Sequence, residues 1–294
     1  IEIPNSVTSI GASAFSYCSS LTSIEIPNSV TTIEGGAFKY CTNLTSIEIP
    51  NSVTSIGGWA FSGCSSLTSI EIPTSLTTID LGTFDFCMSL TSIELPNSVT
   101  SIGKSAFSYC TGLTSIELPN SVTSIGEEAF LECSGLTSIE IPNSVTTIGE
   151  WAFYNCNSLT SIEIPNSVTS IGERAFSGCK RLTSVTYNTN KPIIANSNIF
   201  DEKVYQEAEL IIPQGTSAAF QSITPWNMFI RFIEKELSDT ADVVMDGISA
   251  DIDYSAPYEV YNFNGMKVGN STCNLAPGIY IVCQGATAKK IAIK

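Results

Sequence analysis

The sequence repeats at an interval of 23 residues from residue 1 to about residue 187. Cysteine recurs at this interval from Cys18 to Cys179, and phenylalanine does so from Phe15 to Phe176. The prolines of an Ile-Pro or Leu-Pro pair follow the same step, at Pro4, Pro27, Pro50, Pro73, Pro96, Pro119, Pro142 and Pro165. A fixed period of this length predicts a solenoid, in which each repeat forms one coil that stacks on the next.

Each repeat has eight apolar positions that we expect to face the interior. In one repeat they are Leu21, Ile24, Ile26, Val30, Ile33, Ala37, Phe38 and Cys41. Burial of these side chains cannot offset the backbone entropy that an ordered repeat loses, so a single repeat does not fold alone. Stacking adds burial and backbone hydrogen bonds, and it places identical residues above one another at about 4.8 Å.

Three segments of the repeat carry local structural signals. The spacing of Leu21, Ile24 and Ile26 predicts a strand, which Pro27 ends because proline has no N–H to donate. The segment VTSIG predicts a second short extended piece. The segment G-x-x-A-F-x-x-C, with turn glycines before it and Ser or Thr after it, predicts a helical turn or a 3₁₀ segment.

The L-x-x-L-x-L spacing and the phrase LTSIEIPNSVTSIG resemble the BspA-like class of leucine-rich repeats over residues 1–187. The resemblance implies a mainly β fold, a right-handed leucine-rich repeat solenoid with a parallel sheet on one face. It also implies a surface protein of host-associated anaerobic bacteria, for which adhesion to host proteins or to other cells is the usual assignment. It implies no catalytic residues.

The repeat pattern weakens after Leu182, and residues 188–236 are predicted to form a C-terminal capping repeat. AELIIPQG predicts a strand that ends at Pro213, SAAFQSI a short helix, and WNMFIRFIE an apolar closing strand. Four side chains are expected to cover the open end of the core, which a solenoid otherwise exposes. They are Trp226, Phe229, Phe232 and Ile233.

The composition changes again at residues 237–247, a polar and acidic linker, and residues 248–294 are predicted to form a small antiparallel β-sandwich. The Asn264-Gly265 pair is a strong hairpin signal between two of its strands. The phrases VYNFNGMKV and LAPGIYIV, with a lysine-bearing last strand, resemble the C-terminal sorting domain of the type IX secretion system. The resemblance implies export, followed by surface attachment or release.

The net charge and the hydropathy of the chain limit which partners and which environments are compatible with it. The net charge of −15 disfavours nucleic acid and anionic lipid as partners. No apolar run approaches the length of about 20 residues that spans a bilayer, so the sequence does not predict an integral membrane protein. No secretory leader precedes Ile1, and because the sequence starts within a repeat we interpret its beginning as a trimmed edge.

One glutamate per repeat lies between two inward-facing isoleucines, so strand alternation directs it outward. These glutamates, which we call the acidic strip, are Glu2, Glu25, Glu48, Glu71, Glu94, Glu117, Glu140 and Glu163. A column of carboxylates can accept calcium ions or a basic partner surface. The alternative is a solvated face that recent duplication has copied.

The cysteines are predicted to form a buried column of free thiols that acts as apolar filler. Stacked residues point the same way with Cβ atoms about 4.8 Å apart, whereas a disulfide requires about 3.8 Å. A metal site is not expected, because the chain has neither histidine nor a C-x-x-C pair. Cys273 and Cys283 are the one pair expected to be able to form a disulfide.

Variation between repeats concentrates around the Ala-Phe pair and beside the cysteine. Aromatic residues at these positions are candidates to anchor a protein or a glycan. They are Trp59, Trp151, Tyr17, Tyr40, Phe86, Tyr109 and Tyr154. The alternative is that some of them pack against neighbouring coils and the rest are tolerated variation.

The sequence favours a binding protein over an enzyme. It has no nucleophile elbow, P-loop or zinc-protease motif, and the uniform environment of the acidic strip does not separate an acid from a base. We therefore predict a non-enzymatic, exported, monomeric protein at the cell surface or outside the cell, without a cofactor, that binds a host or microbial protein or glycan. The alternatives are a passive spacer whose repeats provide only reach, and a calcium-dependent surface element.

Overall fold

The computed structural model describes residues 2–235, 259–262, 267–269, 278–284 and 287–293. The chain divides into two compact units, Ile1–Leu237 and Ser238–Lys294. The first unit is a stack of parallel coils, which confirms the predicted mainly β solenoid of 23-residue repeats. We number its coils from the one that contains Phe15. Within the described residues, no helix has the length and apolar character needed to cross a membrane.

The strands of the first unit are short. In chain order they are Ser9–Ile10 (β1), Thr32–Ile33 (β2), Ser55–Ile56 (β3), Thr78–Ile79 (β4), Ser101–Ile102 (β5), Ser115–Ile116 (β6), Ser124–Ile125 (β7), Ser138–Ile139 (β8), Thr147–Ile148 (β9), Ser161–Ile164 (β10), Ser170–Ile171 (β11), Ser184–Tyr187 (β12), Glu209–Pro213 (β13) and Arg231–Lys235 (β14). The helices are Glu202–Glu207 (α1) and Ser217–Gln221 (α2), and Trp226–Met228 forms a 3₁₀ turn.

One ladder of strands comes from the VTSIG segments. Strands β1, β2 and β3 pair in parallel, and so do β4, β5, β7, β9 and β11. Each residue pairs with its equivalent 23 positions later, as Ile10 does with Ile33. Each of these strands is two residues long, and in each the isoleucine is buried and the Ser or Thr before it is more exposed. The predicted short extended piece is thus confirmed.

The second ladder comes from the predicted L-x-x-I-x-I strands, and it lengthens along the unit. In the early coils it consists of single parallel bridges, such as those of Glu94 with Glu71 and with Glu117. Strands β6 and β8 then pair over two residues, and β10, β12, β13 and β14 form a four-stranded parallel sheet. The prolines limit this ladder in the repeats, because they supply no N–H beyond the second isoleucine.

The segment around the Ala-Phe pair is a series of turns, so the prediction of a helical turn or 3₁₀ segment was wrong. Within one coil, Ser16 N–H donates to Ser13 O over 3.0 Å, but Phe15 N–H donates to Ala37 O of the next coil over 2.7 Å. A 3₁₀ helix keeps its hydrogen bonds within one segment. Here alternate N–H groups bond to the neighbouring coil, and left-handed residues reverse the chain between them.

The core runs the length of the first unit. All eight positions predicted to face inward are buried in the coil of Phe38. The phenylalanines stack from Phe15 to Phe176 and on to Phe200, with ring centroids 5.2 to 5.8 Å apart and ring planes 3 to 16° apart. Identical residues therefore lie directly above one another, as the period predicted.

Aromatic residues close the C-terminal end of this core. Trp226 is fully buried, and its Nε1–H donates to Ile193 O over 2.8 Å. Its ring lies 6.4 Å from Phe200 and 6.1 Å from Phe220. Phe229 is also buried, while Phe232 packs against the core with partial exposure. We retain residues 188–236 as the proposed C-terminal cap.

The described part of the second unit is one antiparallel sheet. Its strands are Glu259–Asn262 (β15), Lys267–Gly269 (β16), Gly278–Gln284 (β17) and Thr287–Ile293 (β18). They lie in the order β16, β15, β17, β18, which agrees with a small antiparallel β-domain. The predicted linker 237–247 and the Asn264-Gly265 turn lie outside the described residues.

Candidate binding surface

Two residues in each coil have a left-handed backbone, and they form two columns along the first unit. The first column is Ser13, Gly36, Trp59, Gly82, Ser105, Glu128, Trp151 and Arg174. The second column is Tyr17, Tyr40, Gly63, Phe86, Tyr109, Glu132, Asn155 and Gly178. We call the surface formed by these columns and the residues next to them the turn face. Six of the seven aromatic candidates stand in the columns, and Tyr154 is the exception.

The left-handed conformation makes these aromatic residues unusual. Trp59 has φ 58° and Phe86 has φ 57°, a region that glycine occupies without strain and that costs other L-residues roughly 1 to 2 kcal/mol. Other coils carry glycine at the same positions, for example Gly82 and Gly63. The fold therefore does not require an aromatic residue in either column.

The aromatic residues of coils 1 to 5 in the two columns form two stacked pairs and one tryptophan. Tyr17, which is 70% exposed, stacks on Tyr40 with ring centroids 5.0 Å apart. Phe86 stacks on Tyr109 at 4.3 Å, with an angle of 7° between the rings. Trp59 of the other column is 42% exposed. This part of the turn face, which we call the aromatic end, presents ring faces and edges to solvent.

A single cation links the two columns at the aromatic end. The Lys39 Nζ lies 5.4 Å from the centroid of the Tyr40 ring and 5.6 Å from that of the Trp59 ring. Both distances are within the range of a cation–π interaction. The Lys39 ammonium group thus lies near one ring of each column.

Glycines make room for these rings. A Cβ atom at Gly63 would overlap the ring of Tyr40, and one at Gly82 would overlap the indole of Trp59. Each ring thus lies against the bare backbone of the following coil. The glycine of the next coil therefore makes room for Tyr40 and for Trp59. Tyr17 and Phe86 are instead followed by another aromatic residue, on which each of them stacks.

A small groove of about 240 Å³ lies between the two stacked aromatic pairs. Its lining residues are Tyr40, Thr42, Gly63, Ser65, Phe86 and Met88. Met88 is 43% exposed. The volume is below the roughly 300 Å³ at which small-molecule pockets begin, so the groove suits one inserted side chain or one sugar ring.

Asp85, whose carboxyl group is half-buried, directly precedes Phe86 of this groove in the sequence. Burial raises its pKa to about 6, while the hydroxyls of Ser108 and Ser62 and the charge of Lys39 act in the opposite direction. The carboxylate of Glu128 adds to the upward shift. Sequence reasoning missed this residue, although an aspartate replaces the serine of both neighbouring coils at this position.

Trp151 and Tyr154 form a second, separate aromatic group in coil 7. Their ring centroids lie 6.4 Å apart with an interplanar angle of 50°, and both side chains are half-buried. Among the described residues, nothing accepts a hydrogen bond from the buried Nε1–H of Trp151. The structure therefore does not bring all seven aromatic candidates together, because coil 6 has Glu128 and Glu132 in the two columns.

Carboxylates dominate the turn face from coil 6 onwards, and we call this part the acidic end. They are Glu127, Glu128, Glu132, Glu150 and Glu173. Glu127 forms a 2.7 Å ion pair with Lys104. Neutral groups donate to three others, since Ser105 Oγ lies 2.8 Å from Glu128, Asn155 Nδ2 lies 2.6 Å from Glu132 and Asn196 Nδ2 lies 2.8 Å from Glu173. The sequence signal was present in the GEEAFLE and GEWAF phrases, but only the fold aligns them with the aromatic residues.

The acidic strip lies on the other strand ladder, and its side chains are exposed. No Lys or Arg of the described chain forms an ion pair with it, although Asn188 Nδ2 donates to Glu163. A threonine ladder runs beside the strip, in which each hydroxyl donates to the equivalent carbonyl of the preceding coil, as Thr45 Oγ1 does to Thr22 O over 3.3 Å. In the described part of the chain, no cluster of three or more His, Cys, Asp or Glu residues could hold a metal ion.

The cysteines from Cys41 to Cys179 form the predicted buried column of free thiols. Each thiol donates to the phenylalanine carbonyl 26 positions earlier, as Cys64 Sγ does to Phe38 O over 3.2 Å. Burial, with a smaller contribution from the neighbouring Cys41, raises the pKa of the Cys64 thiol to about 12. Cys283 is a free thiol in the structure and Cys273 lies outside the described residues, so the described chain gives no support to the expected disulfide between them.

The fold and its turn face define a leucine-rich repeat solenoid in which the described residues contain no candidate metal centre. A family model described as the BspA type leucine rich repeat region matches residues 1–114 and 100–217, with six copies. The chain belongs to this family, and the resemblance seen in the sequence is confirmed.

Solved structures that are similar to the chain include two leucine-rich repeat proteins. A leucine-rich repeat protein from Bacteroides ovatus ATCC 8483 is 30% identical, with a TM-score of 0.57, over 78% of this chain and 64% of that one. The chain thus spans less than two thirds of that relative's length. The leucine-rich repeat protein of T. pallidum is 36% identical, with a TM-score of 0.53, over 55% of this chain and 78% of that one. No curated protein sequence matches the chain.

Proposed function

We propose that this chain is a non-enzymatic, exported surface protein that binds a host or microbial protein or glycan through the aromatic end of its turn face. The observation that carries the proposal is the placement of Trp59, Tyr40 and Phe86 at left-handed positions that other coils fill with glycine. The fold imposes the left-handed conformation in every coil, and glycine satisfies it at no cost, so the aromatic side chains at these surface positions are more readily explained by binding than by folding. Leucine-rich repeat solenoids are generally non-catalytic, which supports the same proposal.

The chemistry of the aromatic end suits recognition. Tyr and Trp rings supply a large contact area with few rotatable bonds, and they are enriched among the residues that dominate binding energy. Stacked rings beside a small groove can also hold the apolar face of a sugar.

Export to the cell surface or the extracellular space is supported by family membership and by the sequence of the second unit. The chain belongs to the BspA type family, and residues 248–294 resemble a type IX secretion sorting domain. A cell that expresses the full-length protein with and without these residues tests this part. Loss of the protein from the cell exterior on their removal is the expected result, and unchanged export contradicts it.

Binding is tested with an array of immobilised matrix proteins, bacterial surface proteins and glycans. The informative variant is Trp59→Gly, because glycine is native to this column and relieves strain, so any loss of binding cannot be assigned to misfolding. Ser13→Gly is the matched control in the same column. We expect Trp59→Gly to lose at least about tenfold in affinity, as hot-spot aromatic residues do, and Ser13→Gly to bind normally. Absence of binding across the array favours the passive spacer instead, and equal binding by both variants contradicts the aromatic end as the binding site.

A further inference from the structure

We propose that the partner of the turn face is a positively charged protein segment, which inserts one apolar side chain into the groove of the aromatic end and places basic side chains over the acidic end. This inference rests on the proposed function and specifies its partner. It follows from the arrangement of the two ends along the same two columns.

The aromatic end and the acidic end occupy successive positions of the same two columns. In the second column, Phe86 and Tyr109 are followed directly by Glu132, and in the first column Glu128 takes the position that Trp59 occupies three coils earlier. The groove is centred on coil 3, at Gly63, and Glu132 lies three coils further on, or about 14 Å at about 4.8 Å per coil. An extended segment covers this distance with about four residues. One short segment can therefore contact both ends.

The acidic end carries a surplus of negative charge in coils 6 and 7. Its four carboxylates there are Glu127, Glu128, Glu132 and Glu150, and the one cation beside them, Lys104 of coil 5, pairs with Glu127. Coil 8 adds Glu173 but also Arg174, Lys180 and Arg181, so the negative charge that remains lies in coils 6 and 7. Glu128 and Glu132 accept hydrogen bonds from the neutral groups of Ser105 and Asn155. These bonds fix the positions of the two carboxylates without neutralising them, which prepares them for a basic side chain.

The charge of the turn face disfavours glycans and nucleic acid as partners. A neutral glycan would make no use of the acidic end, and an anionic glycan or a nucleic acid would be repelled by it. At the opposite side of the groove, Lys39 lies over the Tyr40 and Trp59 rings and disfavours a basic side chain there. The apolar residue of the partner is thereby assigned to the groove, and its basic residues to coils 6 and 7.

The experiment uses the full chain to select from a displayed library of random 12-residue peptides. We expect the selected peptides to be enriched in net positive charge and to carry an aromatic or large aliphatic residue about four residues from a Lys or Arg. The best peptide is then synthesised, and its affinity is measured against four forms of the protein at low and high salt. A glycan array is probed in parallel.

The four forms of the protein distinguish the contribution of each end from the effect of the overall net charge. They are the native chain, Phe86→Asn, the double variant Glu128→Gln with Glu132→Gln, and the double variant Glu71→Gln with Glu94→Gln. Asparagine is native to the second column at Asn155, so Phe86→Asn is tolerated by the backbone. The last double variant removes the same charge from the acidic strip and is the matched control. We expect about fivefold weaker binding and a smaller salt dependence for the Glu128 and Glu132 variant, and an unchanged affinity for the control.

The outcomes distinguish this inference from the proposed function. Peptides without a charge bias, or equal effects of the two double variants, overturn the basic partner. If Phe86→Asn abolishes binding while the Glu128 and Glu132 variant binds normally, the aromatic site stands and the basic partner is wrong. Binding to glycans alone also contradicts the basic partner and leaves the aromatic site standing. If neither Phe86→Asn nor the Glu128 and Glu132 variant weakens binding, both proposals fail.

Discussion

The ring of Phe38 lies parallel to the ring of Phe61, with centroids 5.5 Å apart and an angle of 3° between the planes. Both side chains are fully buried. The same relationship continues through Phe176 to Phe200, so one aromatic stack links all eight numbered coils to the residues that close the C-terminal end. Because each coil is stabilised mainly by its two neighbours, the stack carries the cooperativity of the solenoid.

The first prediction concerns this stack. Replacing Phe107 by alanine is expected to lower the free energy of unfolding by about 3 to 5 kcal/mol, because it leaves a cavity between Phe84 and Phe130. Guanidinium denaturation followed by circular dichroism measures the change. Phe15→Ala is the control, since Phe15 is only half-buried, and it is expected to cost less. Equal losses at the two positions contradict the prediction.

The second prediction concerns backbone strain at the aromatic end. Trp59→Gly is expected to be more stable than Trp59→Ala by about 1 kcal/mol, because both remove the indole but only glycine adopts φ 58° without strain. Thermal melting of the two variants measures the difference. The opposite order would show that Trp59 is not held in the left-handed region.

The third prediction concerns the pH dependence of stability. Because burial raises the pKa of Asp85 from its ordinary 3.8 to about 6, the folded chain binds more protons than the unfolded chain between these values. The charged carboxylate therefore destabilises the fold fully above about pH 6, and this effect disappears as the pH falls towards 3.8. Asp85→Ser, which copies Ser62 and Ser108, is expected to stabilise the protein by about 1 kcal/mol at pH 7.5 after allowance for solvent screening at this half-exposed group.

The same substitution is expected to have little effect on stability at pH 4.5, where Asp85 is largely protonated. Urea denaturation at the two pH values measures both quantities. A stabilisation of equal size at both pH values would show that burial of the charge at Asp85 is not its cause.

The fourth prediction concerns thiol reactivity. Burial raises the pKa of the Cys41 thiol to about 11 and that of Cys64 to about 12, so little thiolate forms at pH 8 and reagents have no access to it. Iodoacetamide is expected to alkylate Cys18, which is half-exposed, well before the seven buried cysteines from Cys41 to Cys179. Mass spectrometry of the digested protein measures the extent at each site. Addition of guanidinium should make all eight react alike.

The fifth prediction concerns the acidic strip. Glu71 and Glu94 are backbone partners on adjacent coils without a compensating ion pair in the described residues, so their like charges repel. Their double replacement by glutamine is expected to raise Tm, and to raise it more at about 20 mM than at about 500 mM NaCl. Millimolar calcium should leave the native Tm unchanged if the strip is only a solvated face. A calcium-dependent rise that EDTA reverses would instead support the calcium-dependent element.

Much of the fold could be predicted from the sequence, because the 23-residue period identifies which residues of neighbouring coils are in contact. Residues 23 apart are in contact, so Phe38 and Phe61 had to stack once the repeats formed coils, and Cys64 had to be buried beneath them. The local prediction at the Ala-Phe segment failed for a related reason. A helical signal counts only contacts within one coil, whereas alternate N–H groups of this segment bond to the next coil.

The candidate site could be predicted only in part. The sequence identified Trp59, Tyr40 and Phe86 as variable aromatic residues, but it did not reveal that they are left-handed or that the first two lie over Gly82 and Gly63. The alternation of glycine with aromatic residues in one column was the available signal. It becomes interpretable only when the backbone conformation is known, because glycine has several structural uses.

The sequence by itself determined the period, the inward-facing residues and the stacking of identical positions, since a repeat too small to fold alone has to bury its apolar side chains against its copies. Only the tertiary structure decided which way the variable side chains point, because that depends on the left-handed turns and on bonds between coils. It also aligned the aromatic end with the acidic end, because the turn face combines residues that no single coil contains.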